Sequence, residues 1–148
     1  MVENTLEKII KKKRYRLIEL KKKRPLESLL EHRSDTMPYY DFKNVIEKNI
    51  YDNKISIIAE IKKASPSAGI IIKDYDPVNI AEIYQKNKAT CLSVLTEEDF
   101  FLGNLAHIYK IKLNSNPMEM SGMHLPILCK DFFIDTYQVN LARHYGAD

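Results

Sequence analysis

The runs Ser56-Ile57-Ile58-Ala59-Glu60-Ile61-Lys62-Lys63 and Leu125-Pro126-Ile127-Leu128-Cys129-Lys130-Asp131-Phe132 each carry a lysine where an apolar strand should end. Packing alone rarely places charge there. In barrels of parallel strands the active site is assembled from residues at the C-terminal strand ends, so two lysines and a carboxylate at such ends point to chemistry before stability. A third apolar run, residues 90–95, lies between the two. The three runs, 55–61, 90–95 and 126–130, sit about 35 residues apart, the length of a βαβ unit.

The segments between the runs read as helices. Asp76-Pro77 gives an N-cap followed by proline at the first helical position, and Ile80, Ile83 and Tyr84 make an inner face. Residues 104–112 form the next helix, and 114–122 read as an irregular connector. Asp135 with Gln138 repeats the capping logic, Val139, Ala142 and Tyr145 supply a face, and Gly146 ends the helix. Alternating strands and helices argue for a parallel sheet, with central strands apolar on both faces, as expected when helices cover them. A doubly wound sheet and a barrel both fit. The first strand lacks a glycine-rich turn after it, which weighs against a dinucleotide-binding unit.

Residues 1–50 carry no strand signal and read as a helical extension; residues 51–148 read as the βα part. Asn4 followed by Glu7 resembles a capping box, predicting a helix over 5–24 that ends at Pro25. A shorter helix follows over 25–32, then a loop over 34–38, then a helical turn or two over 41–47. Residues 1–24 hold ten Lys and Arg against three Glu, while the remainder holds thirteen against seventeen acidic residues. The basic run Lys11-Lys12-Lys13-Arg14-Tyr15-Arg16 could contact nucleic acid or a membrane surface, but only Tyr15 interleaves the charges for base stacking. The favoured reading is a solvated helix face opposite an apolar stripe of Leu6, Ile10, Leu17 and Leu20.

Composition bounds the class. A hydrophobic fraction of 45% with 29% charged residues is that of a soluble globular protein, and no run approaches a membrane span or a signal-peptide core. A cytoplasmic location is expected. Cys91 and Cys129 lie inside strand-like runs and read as buried free thiols. His32, His107, His124 and His144 have no partners at ligand spacing, so no metal site is expected.

Glu60 and Lys62, two apart on one strand, point to one face and could bind an anion or work as an acid and base pair; a structural ion pair is the plain alternative. Ser65-Pro66-Ser67-Ala68-Gly69 is a polar loop suited to presenting hydroxyls and backbone N–H groups to a phosphate. Lys130, flanked by Asp131 and Phe132, is a candidate general acid or anion clamp.

Taken in order, the strings 57–67 (IIAEIKKASPS), Ser93-Val94-Leu95-Thr96-Glu97, Phe100-Phe101-Leu102-Gly103 and Pro126-Ile127-Leu128-Cys129-Lys130-Asp131-Phe132 closely resemble the indole-3-glycerol phosphate synthase family. The resemblance extends to Pro25-Leu26, the Asp76-Pro77 helix start and Tyr145-Gly146-Ala147-Asp148. It implies the N-terminal portion of a (β/α)8 barrel, about three βα units preceded by a helical extension. It also implies closure of the indole ring of 1-(2-carboxyphenylamino)-1-deoxyribulose 5-phosphate in tryptophan biosynthesis, with loss of carbon dioxide and water and without metal or organic cofactor. Lys130 would be the general acid for the substrate carbonyl. Lys62 would pair with the substrate carboxylate and serve in the dehydration, with Glu60 orienting both. Ser65 would lie on the phosphate side, and Leu95, Phe101 and Phe132 would wall the anthranilate ring.

Two local departures stand out: Ala68 where many members have lysine, and the connector at 114–124, longer than the family usually needs and read as a surface insertion. Three βα units also fall short of the eight strands and about 250 residues of a closed barrel. The later strands would bring a second glutamate, an asparagine and most of the phosphate cradle. The chain alone is therefore expected to be inactive and marginally folded. The runner-up reading is a catalytically silent half-barrel that acts only by association with a complementary chain.

Overall fold

The structure, a computed structural model, describes residues 4–31, 37, 39–114 and 124–148. Most of the expected loop over 34–38, His32 and most of the 114–124 connector lie outside the described residues. Among the described residues, six helices and five strands follow in the order α1 (Thr5–Lys23), α2 (Leu26–Glu31), α3 (Phe42–Tyr51), β1 (Ile58–Ile61), β2 (Ala64–Ser65), β3 (Gly69–Ile70), α4 (Pro77–Lys86), β4 (Cys91–Leu95), α5 (Leu105–Leu113), β5 (Ile127–Lys130) and α6 (Tyr137–His144).

The sheet is parallel, in the order β1-β4-β5, with Glu60 opposite Ser93, Ser93 opposite Leu128 and Leu95 opposite Lys130. Each step to the next strand passes through a helix, as parallel pairing requires. Side chains alternate across the sheet. Ala59, Ile61, Leu92, Val94, Ile127 and Cys129 meet Ala81, Ile108, Ile111 and Ala142 of the covering helices in one core. The opposite face carries Ile58, Glu60, Ser93, Leu95, Leu128 and Lys130. There Ile58 and Leu128 of the edge strands stay 47% and 44% exposed, whereas Ser93 and Leu95 of the central strand are buried. Among the described residues, the helices of the core pack on the first face.

The helix starts follow the sequence signals. Asn4 and Glu7 cap each other reciprocally at α1, and the Asp76 carboxylate accepts the Val78 and Asn79 N–H groups at α4. At α6, Asp135 accepts the Tyr137 N–H and Gln138 reaches back to the Ile134 and Asp135 N–H groups. Gly146, at φ +94°, closes that helix in the left-handed conformation that favours glycine. The polar loop after β1 is a small antiparallel ribbon, β2 against β3, with Gly69 at φ +64° and the Ser65 hydroxyl accepting the Ala68 N–H. Period-2 patterning cannot reveal two-residue strands, so this ribbon has no sequence signal.

Helix α1 turns a different face from the one its apolar stripe suggests. Ile9, Lys13 and Leu17 are buried, whereas Leu6 is 55% exposed. Leu17 joins Leu29, Tyr137 and Leu141 in a second core that fastens α1 and α2 to α6. The Tyr137 hydroxyl donates to the Arg24 carbonyl at 2.9 Å. The basic run is thus not simply a solvated face: acidic residues beyond β4 and β5 draw Lys13 and Arg16 inward.

At the N-terminal end of β5, Lys112 and Asp148 pair at 2.6 Å with both side chains fully buried. Asp148 also accepts the Ile127 and Tyr40 N–H groups. Burial pulls the Lys112 ammonium below its ordinary range, against the pull of Asp148. Charges at this end of a barrel serve stability, and the chemistry belongs at the other.

Candidate active site

Three charges converge at the C-terminal strand ends. Glu60 is held on β1, Lys62 follows directly after it, and Lys130 ends β5. Lys62 donates to Glu60 Oε1 at 2.6 Å, and Lys130 donates to Glu60 Oε2. One carboxylate thus holds two ammonium groups on the open face of the sheet, one per oxygen. Burial pushes the Glu60 carboxyl up, but the hydrogen bonds from Lys130 and Lys62 outweigh it, and the net direction is down. Glu60 is therefore an ionised anchor rather than a proton donor near neutrality.

These charges line a cavity of about 260 Å³ with Leu95, Phe101, Asp131 and Phe132. The Phe101 and Phe132 rings meet at 6.1 Å between centroids, tilted by 42°. Six of the seven residues singled out from sequence therefore share one cavity. The seventh, Ser65, lies in the β2–β3 ribbon and is not among the lining residues. No group of three or more His, Cys, Asp or Glu among the described residues is arranged to hold a metal ion.

Several residues that shape the site went unread in the sequence. The buried Glu97 carboxylate accepts the N–H groups of Asp99, Phe100 and Phe101 at 3.1, 2.7 and 3.1 Å, and its carbonyl accepts the Gly103 N–H at 2.7 Å. The loop over 97–103 is therefore wound around one carboxylate, which fixes where Phe101 enters the cavity. Outside it, Arg16 grips Asp99 through two hydrogen bonds, at 2.5 and 2.6 Å, and also meets Glu98; Lys12 adds a contact to Asp99 at 2.9 Å. The Arg16 hydrogen bonds, followed by those from Lys12, hold the Asp99 carboxyl down at about 2. The one usable signal was complementary charge, a basic helix and the acidic triplet Glu97-Glu98-Asp99, but charge alone does not say which pairs form.

Cys91 and Cys129 are buried free thiols, both pushed up to about 11 by burial, as suits inert core positions. A larger cavity of about 510 Å³ runs along the free side of β5 between Leu29, Leu128 and Val139. Its largely apolar lining marks packing space rather than a reaction site.

Parallel βα units with charged groups gathered at the C-terminal strand ends fit part of a (β/α)8 barrel, of which this chain forms three units. The family model of indole-3-glycerol phosphate synthase matches residues 6–148, and the chain belongs to that family. Among curated relatives bearing that name, the protein of Trichodesmium erythraeum is 41% identical over 146 residues, covering 99% of this chain and 46% of its own length. That of Alkaliphilus metalliredigens is 40% identical over 143 residues, 97% and 51% respectively. That of Chlorobium phaeobacteroides is 37% identical over 143 residues, 97% and 52%. The chain spans about half the length of the curated relatives it matches. No described helix is long and apolar enough to cross a membrane.

Proposed function

We propose that these residues serve indole-3-glycerol phosphate synthesis: closure of the indole ring of 1-(2-carboxyphenylamino)-1-deoxyribulose 5-phosphate with release of carbon dioxide and water. The observation that carries this reading is the Glu60 bridge between Lys62 and Lys130 at the edge of a cavity walled by Leu95, Phe101 and Phe132. Residues 51–148 supply three units of the barrel and residues 1–50 its helical extension. Eight strands close such a barrel, so the activity belongs to the closed form in which the free side of β5 is paired.

In this reading the anthranilate ring lies against the apolar wall, which excludes water and strengthens the charges beside it. The Lys62 ammonium pairs with the ring carboxylate. As the ring carbon bearing that carboxylate attacks the ribulose carbonyl, Lys130 donates a proton to the carbonyl oxygen, which becomes a hydroxyl. Loss of carbon dioxide leaves its electron pair in the ring system. Protonation of the hydroxyl by Lys62 then lets it depart as water, and loss of one proton from the neighbouring CH2 of the new five-membered ring completes the indole. Glu60 fixes both donors before substrate arrives, and such positioning is a large part of catalysis.

The test is indole fluorescence formed by the closed barrel containing residues 1–148. General acids contribute about 10²- to 10⁴-fold, so Lys130→Met should lower kcat by that factor, while Lys62→Met should also raise KM. Undiminished turnover in both variants would remove the reading.

A second reading, association of a catalytically silent half-barrel with a complementary chain, is favoured by the open β5 side and exposed Leu128. It predicts a stable complex with the second half of a relative's barrel that forms no indole.

A further inference from the structure

Lys13, far from the substrate cavity in sequence, is tied to it through one residue. Its ammonium meets Asp131 Oδ1 at 2.6 Å, with the two side chains 8% and 10% exposed. Asp131 is saturated from three elements: its Oδ1 also accepts the Phe132 N–H at 2.7 Å, and its Oδ2 accepts the Thr96 hydroxyl at 3.0 Å. The Thr96 N–H in turn donates to the Lys130 carbonyl at 3.0 Å. Asp131 sits between Lys130 and Phe132 and borders the cavity with them, while its carboxylate is anchored under α1 by Lys13.

A buried ion pair is a costly way to hold a helix. Apolar residues of similar volume would do as well or better, and α1 already has Leu17, the exposed Lys21 to Asp135 pair and the Tyr137 hydroxyl bond for that purpose. What the pair adds is direction, because one fixed point on each side of the 130–132 backbone sets where Lys130 and Phe132 aim. We propose that Lys13 is a positioning residue of the active site, acting through Asp131 to hold Lys130 and Phe132 in register with Glu60. This rests on the acid role proposed above for Lys130.

The experiment compares turnover of wild type, Lys13→Met, Asp131→Asn and the double variant Lys13→Met/Asp131→Asn, in whichever form of the wild type makes indole: the chain alone or the chain completed to eight strands by the second half of a curated relative. Lys13→Met alone leaves a buried unpaired carboxylate and is expected to lose stability. The double variant removes both charges and should recover the wild-type urea midpoint. Since a misplacement of about 1 Å can cost about 10²-fold, its kcat should still be at least about tenfold low, with KM within about twofold of wild type. A double variant that regains wild-type kcat along with its stability would overturn the proposal and leave a purely structural pair. Full activity in Lys130→Met would instead overturn the acid role itself, and the Lys13 assignment with it.

Discussion

Asp99 should carry a measurable part of the acid sensitivity of the fold. Its carboxyl lies at about 2 in the folded chain against an ordinary 3.8, with Arg16 as the main cause. A lowered folded value means that the stabilisation is fully present above about pH 4 and is lost as pH falls through about 2. Asp99→Asn should therefore cost about 1–2 kcal/mol near neutrality, discounted for the partly exposed Arg16 and Lys12, and should flatten the urea midpoint between pH 4 and 2. An unchanged acid limb would show that the grip of α1 on this loop does not survive in solution. At this scale the sequence was legible wherever charge broke a strand pattern: Glu60, Lys62 and Lys130 stand out because apolar strands should not end in charge. Lys13 and Asp131 were silent because the fold brings them together across 118 residues, and Glu97 because winding its own loop around a carboxylate leaves no periodic signal.

Gly103 tests the element that carries Phe101. A Cβ at this position would lie 2.4 Å from the Leu95 carbonyl oxygen and 2.9 Å from the Glu97 carbonyl oxygen, both backbone atoms that cannot swing aside. Gly103→Ala should force the loop over 97–103 off the end of β4 and cost about 1–3 kcal/mol, read as a lower urea midpoint. An unaltered midpoint would mean that the loop is looser than its hydrogen bonds suggest. The helices and the three barrel strands were readable to within a few residues, since caps, proline at the first turn and glycine at the end act locally. The face that α1 presents was misread because hydrophobic spacing favours Leu6 and Ile10, whereas the Lys13 and Arg16 ion pairs and the Leu17 core rotate the helix towards the acidic loops.

For the whole molecule, the decisive fact is a three-stranded sheet, among the described residues, whose edge strands leave apolar side chains exposed on the face away from the core helices. Ile58 and Leu128 on that face, and the apolar space beside β5, expose surface that a closed barrel would fill. The 148-residue chain on its own should bind a hydrophobic dye and self-associate, and Leu128→Lys should weaken both; a dye-silent monomer would contradict this picture. The parallel class was legible from the spacing of three runs, but spacing alone left a doubly wound sheet open. The order of the motifs, not their composition, pointed to the barrel.

The central claim, that the Glu60, Lys62 and Lys130 cluster is the acid machinery of an indole-forming decarboxylation, is tested most directly by following carbon dioxide and indole together from the same substrate in a closed barrel containing this chain. The account predicts one carbon dioxide released per indole formed, with both rates falling by at least about 10²-fold in Lys130→Met. Indole formation at the wild-type rate in Lys130→Met, or a folded wild-type barrel that releases neither product, would contradict it.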